Sequence, residues 1–99
     1  MAMCGGIGNA KAADAEVQAI CELFKAEVEA KSGKKFGTYE AHSFKTQLVS
    51  GTNYFVKVHV GNEEYVHLRI YKKLPCHNEE KSLTSHQLGK TKEDPIEYF

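Results

Sequence analysis

The chain has no tryptophan, only two prolines and three cysteines, and its thirteen Lys and Arg are cancelled by thirteen Asp and Glu. Each scarcity removes a class of function. With a formal net charge of zero, no global field steers the protein onto nucleic acid or an anionic membrane, so neither partner is expected. Cys4, Cys21 and Cys76 are too few and too scattered for a disulfide framework, and they form neither a Cys-x-x-Cys pair nor a zinc spacing. A reducing compartment fits them best. No apolar run approaches the length of a membrane span. The opening Met1-Ala-Met-Cys-Gly-Gly-Ile-Gly8 lacks a basic leader, a signal-type apolar stretch and a glycine at position 2, and the chain holds no Asn-x-Ser/Thr sequon. The expectation is cytoplasmic.

What is present suffices for a core. Hydrophobic residues make up 41% and aromatics 10%, too apolar for a disordered chain. The 99 residues fit one domain. A chain of this size buries somewhat over about 60% of its unfolded surface, so it needs neither metal nor disulfide to fold.

Residues 1–11 carry small side chains and glycines and read as a flexible arm. Asp14 then caps a segment in which Val17, Ile20, Cys21, Phe24 and Val28 recur at three- and four-residue steps. This predicts one amphipathic helix ending near Ser32-Gly33, with Cys21 as a small buried hydrophobe on its inner face. After Lys35 the period becomes two. Tyr54, Val56, Val58 and Val60 form one row, and Val66, Leu68 and Ile70 a second, as in half-buried antiparallel strands. A two-residue turn between them would put the rows on opposite faces, so the loop must be odd: Gly61-Asn62-Glu63. A further strand covers about Phe36 to Leu48 with a bulge between residues 39 and 44, because Tyr39 and Ala41 fall on the wrong parity. Pro75 to Asp94 reads as a polar stretch without period, and Ile96 to Tyr98 as a short closing strand. The fold class is α+β: one long helix packed on a four- to five-stranded antiparallel sheet.

Catalytic chemistry is hard to find. Cys76-His77 is the only adjacent Cys and His pair, and loop neighbours rarely meet as nucleophile and base. His59 and His67, on the solvent-side parity of neighbouring strands, lack a third metal ligand. The pairs Lys34-Lys35 and Lys72-Lys73 have no interleaved stacking platform for nucleic acid. No enzyme, metal or cofactor is expected. The unexplained residues are apolar ones at strand ends: Leu48 and Val49 beside Gly51, and Leu74-Pro75, which a simple meander brings to the same end of the sheet. With the arm, they make a linear binding edge.

Gln47-Leu-Val-Ser-Gly51 resembles the Gln-Val-Val-Ala-Gly loop of the cystatin superfamily. Met3-Cys-Gly5, Lys34-Lys-Phe36, Ser43-Phe-Lys45, Gly51-Thr-Asn-Tyr-Phe-Val-Lys-Val-His-Val-Gly61, Val66-His-Leu-Arg69, Leu74-Pro75 and Tyr98-Phe99 extend the resemblance over essentially the whole chain. It is to stefins, the type 1 cystatins, and most closely to the B type. The resemblance implies a tight, reversible, non-covalent inhibitor of papain-like cysteine proteases such as cathepsins. Its implied contacts are Cys4 and Gly5 in the arm, Gln47, Leu48, Val49, Ser50 and Gly51 in a first loop, and Leu74, Pro75, Cys76 and His77 in a second. Leu48 and Ser50 depart from the loop's usual Val and Ala, and Cys76 stands where B-type stefins commonly have His. A monomer is expected, with the exposed thiols of Cys4 and Cys76 offering a route to a dimer. The alternative is a non-inhibitory interaction scaffold of the same fold.

Overall fold

A computed structural model describes residues 10–48, 51–61, 63–73 and 81–96. The elements follow the chain as β1 (Lys11–Ala12), α1 (Ala15–Leu23), α2 (Lys25–Ser32), β2 (Glu40–Leu48), β3 (Gly51–His59), β4 (Tyr65–Lys73) and β5 (Lys81–Lys90). The strands form one antiparallel sheet in the order β1-β2-β3-β4-β5, a meander.

Asp14 caps the helical segment as its position predicts, its carboxylate accepting the Val17 N–H at 2.9 Å. Gly33 ends it in the left-handed region at φ 73°, its N–H returned to the Glu29 carbonyl. Between these ends the expected single helix is interrupted. Phe24 leaves helical geometry at φ −109° and ψ 7°, and its N–H reaches back to Cys21 O in a tightened turn. No Pro or Gly stands there to announce the break. Val17, Ile20, Cys21 and Val28 are nevertheless all buried, so the apolar stripe survives the interruption.

That stripe packs on the face of the sheet formed by Phe44, Val56, Val58, Val60, Val66, Leu68, Ile70 and Leu83. Both rows of the β3–β4 hairpin lie in this core because its loop is odd. Val58 pairs with Val66, the Val60 N–H donates to Glu64 O at 2.9 Å, and Glu64 N–H donates to Gly61 O. Gly61 and Glu63 carry the positive φ angles of the turn, 98° and 59°. The predicted irregularity of β2 is also present, as a register shift between Ala41 and Ser43 that leaves His42 as the extra residue.

Four expectations are corrected. Lys11, assigned to the arm, is in β1 and pairs with Phe44. β2 begins at Glu40 and not Phe36; Phe36 and Tyr39 are buried from the connecting segment, where the Phe36 N–H donates to Glu29 Oε2. The stretch expected to lack structure contains β5, ten residues long. Ile96 is buried but belongs to no strand, and Glu97 and Tyr98 lie outside the described residues.

The second face of the sheet departs furthest from expectation. Asn53, Phe55, Lys57 and His67 have the parity of a solvated face, yet all four are buried. The segment after β5 comes back to this face at Lys57, whose Nζ donates to Lys92 O at 2.6 Å, and Ile96 in the same segment is buried. His67 is 1% exposed, with its Nε2 lacking a hydrogen-bond partner among the described residues. Burial lowers the Lys57 pKa, and burial together with the charges of Lys57 and Lys90 brings the His67 pKa down to about 4.

Cys21 is where the helical period places it, fully buried. Burial, with a smaller contribution from Glu22, pushes its thiol up to about 12, so almost no thiolate is available to react. Native iodoacetamide treatment, followed by mass spectrometry, is expected to leave one of the three thiols unlabelled until the chain is unfolded. Native labelling of Cys21 at the rate seen in denaturant would contradict the packing of α1 on the sheet.

Candidate functional site

The β2–β3 hairpin, the end of β4 and the start of β5 meet at one end of the sheet. Leu48 pairs with Thr52 across the hairpin, and Gly51 pairs with Lys73 on the other side. β1 runs antiparallel to β2, with Lys11 opposite Phe44, so the chain enters it from this same end. The meander thus brings the first loop and the end of β4 together as the alternating pattern predicted.

Leu48 is 72% exposed, an isobutyl group at the last position of β2. Its neighbour Gln47 points inward instead. The pleat alternates side chains across the sheet, and Gln47 is buried with its Oε1 accepting from Asn53 Nδ2 at 2.8 Å. Gly51 is also buried, as the first residue of β3 and not as a free turn residue. A Cβ there would lie 2.6 Å from Lys72 O and 2.7 Å from Tyr71 Oη. The glycine is needed because neighbouring backbone and ring come too close for any side chain. Gly51→Ala is therefore expected to lower the thermal midpoint by several degrees, since the hairpin must shift away from β4 to admit a methyl group. An unchanged midpoint by calorimetry would show that the neck yields without cost.

Of the other residues assigned to the site from sequence, Cys4, Gly5, Val49, Ser50, Leu74, Pro75, Cys76 and His77 lie outside the described residues. Asn53 and Tyr71, which sequence reasoning did not single out, stand directly behind the loop. Their signal was available in the register, since an even offset from Gln47 through the turn puts Asn53 opposite it.

At the far end of the sheet a groove of about 570 Å³ is lined by residues including Gln18, Glu22, His42, His59 and Tyr65. It offers no nucleophile with a base, and no three His, Cys, Asp or Glu among the described residues are placed to hold a metal ion. No helix of the described residues is long and apolar enough to cross a membrane.

An antiparallel sheet that carries its helical segment on one face and presents an exposed apolar side chain, Leu48, at one end is the arrangement of a docking protein. A family model for the cystatin domain matches residues 5–93, and the chain belongs to that family. It is a stefin B-like cystatin, a cysteine protease inhibitor and not an enzyme. It is 50% identical to cystatin-B of Oplegnathus fasciatus over 97 residues, covering 98% of this chain and 97% of the relative. Cystatin-B of Paralichthys olivaceus is 48% identical, and that of Homo sapiens 45%, each over 98% of this chain and 99% of the relative.

Proposed function

We propose that the chain inhibits papain-like proteases of the cathepsin type by filling the active-site cleft with the end of the sheet that carries Leu48. The arm supplies Cys4 and Gly5, the first loop Leu48, Val49, Ser50 and Gly51 with Gln47 at its foot, and the second loop Leu74, Pro75, Cys76 and His77. The observation that carries this reading is Leu48 itself, a large apolar side chain 72% exposed at the end of β2, opposite Thr52 and at the same end of the sheet as the last residues of β4. Burying such a group in a cleft is favourable by about 1.5 kcal/mol or more, and a glycine-bearing arm can pass close to a protease surface where a side chain would clash. Binding by contact alone breaks no bond. The inhibitor acts as a monomer in the cytoplasm, where its thiols stay reduced.

Titrating papain with the protein and following a fluorogenic peptide tests the reading. Expected are stoichiometric loss of activity, no effect on a trypsin-like serine protease, and inhibitor recovered uncleaved. Papain activity untouched at micromolar protein would overturn it and leave an interaction scaffold.

Deleting residues 1–5 is expected to accelerate dissociation from papain while moving the thermal midpoint by less than about 2 °C, because contacts outside the core affect mainly the off-rate. Stopped-flow rates and calorimetry check both halves. A large fall in the midpoint would make the arm part of the core.

A further inference from the structure

The neck of the first hairpin is bridged by side chains as well as by backbone. Gln47 and Asn53 face each other in register, both are 5% exposed, and Asn53 Nδ2 donates to Gln47 Oε1 at 2.8 Å. One step further out stands the pair Leu48 and Thr52, the last before the loop. On the other side Tyr71 pairs with Asn53, and its ring edge lies 2.9 Å from where a Gly51 Cβ would sit. Both feet of the loop are therefore held, one by the amide bridge and one by the tyrosine.

Building on the inhibitor reading, we infer that Asn53 is a positioning residue for the first loop, and that Gln47 serves the inhibitor inward, through Asn53, and not by touching the protease. A buried amide oxygen needs a donor, and Asn53 provides one. With that demand met, the two strands are fixed beside the Leu48–Thr52 pair, and the neck of the loop is set before the protease arrives. Less conformational freedom then remains to be lost on docking. The sequence supports the division of labour: the side chain that projects outward at this end is the apolar Leu48, whereas the amide of Gln47 turns inward.

A double-mutant cycle separates positioning from contact. Gln47→Leu, Asn53→Leu and the double variant are assayed against papain, with Asn53→Ala made alongside so that a leucine too large for the neck does not decide the result. If the bridge positions the loop, both single variants weaken inhibition by a similar factor, roughly 5- to 150-fold for one buried partner left unpaired. The double variant then loses no more than either, because the same interaction is removed in all three. A protease contact by Gln47 predicts instead that Gln47→Leu alone weakens inhibition, and that outcome overturns the inference. The second readout needs no protease. Amide hydrogen exchange at Leu48 and Thr52 is expected to quicken at least about tenfold in each variant, while Val56 to Val58 exchange as before. Unchanged exchange at the neck also overturns it. Should the unmodified protein fail to inhibit papain, the proposed function falls, and exchange at the neck still decides whether the bridge orders the loop.

Discussion

Leu48→Asp is expected to abolish tight inhibition while leaving the folded protein intact. In the free inhibitor this side chain is 72% exposed, so a carboxylate there stays hydrated and the midpoint should move by no more than about 2 °C. In the complex the same group must enter a cleft from which water is expelled. An uncompensated charge at the centre of such an interface costs on the order of 3 kcal/mol or more. That is at least about a hundredfold in Kd. Papain titrations of the folded variant check it, and unchanged affinity would remove Leu48 from the docking surface. Leu48→Ala, which deletes contact without adding charge, should fall between the two.

The second large effect concerns pH. The unfolded chain protonates His67 near 6.5, whereas the folded chain resists until about 4, because the imidazole is buried and faces Lys57 and Lys90, with Asp94 only partly offsetting them. Between those values the unfolded state binds more protons, so stability falls as pH drops through that window and the loss is complete below about 4. The full difference corresponds to about 3 kcal/mol, a substantial share of the stability of a small domain. Urea midpoints at pH 7 and pH 5 are expected to differ measurably in the wild type. In His67→Leu, which has no proton to take up at that position, the difference should shrink. An equal slope in both proteins would mean that His67 is not the titrating group.

These two residues also show where sequence is informative. Leu48 was legible because an apolar side chain at a strand end has no core to enter, and the odd β3–β4 loop was legible because any even loop would have split two apolar rows. His67 was misread as solvent-facing. Alternation gives the parity of a side chain but not what lies over that parity, and the cover here is the segment from Thr91 to Ile96, which has no periodicity of its own. β5 was missed for a related reason. Leu83 and Leu88 are five residues apart and so have opposite parity, yet both pack on the same core. A register shift at Thr84, between the pairs Arg69–Ser85 and Ile70–Leu83, reconciles them. A second shift, between the partners of Tyr65 and His67, falls beside Gly89 at φ 68°. Two bulges in ten residues erase the period that identifies a strand. Gln47, Leu48 and Gly51 were singled out from sequence, but the inward turn of Gln47 follows from its pairing with Asn53 across the hairpin, and the exclusion of a Cβ at Gly51 from Lys72 and Tyr71 on β4, neither of which a motif reveals.

Gln18, on α1, has a consequence for how this molecule keeps apart from its own copies. β1 covers only two residues of β2, so the outer edge of β2 beyond Ser43 could present bare amides and carbonyls to another chain. Instead the Ala13 N–H donates to His42 O, the Gln18 Oε1 accepts the Ala41 N–H at 2.7 Å, and the Gln18 Nε2 donates to Tyr39 O at 2.9 Å. One side-chain amide thereby occupies two successive places that a foreign strand would use, doing with a single residue what a longer β1 would do with several. At Tyr39 O, Ala41 N–H and His42 O the hydrogen bonds are therefore already taken, which blunts this stretch of the β2 edge against pairing with another chain.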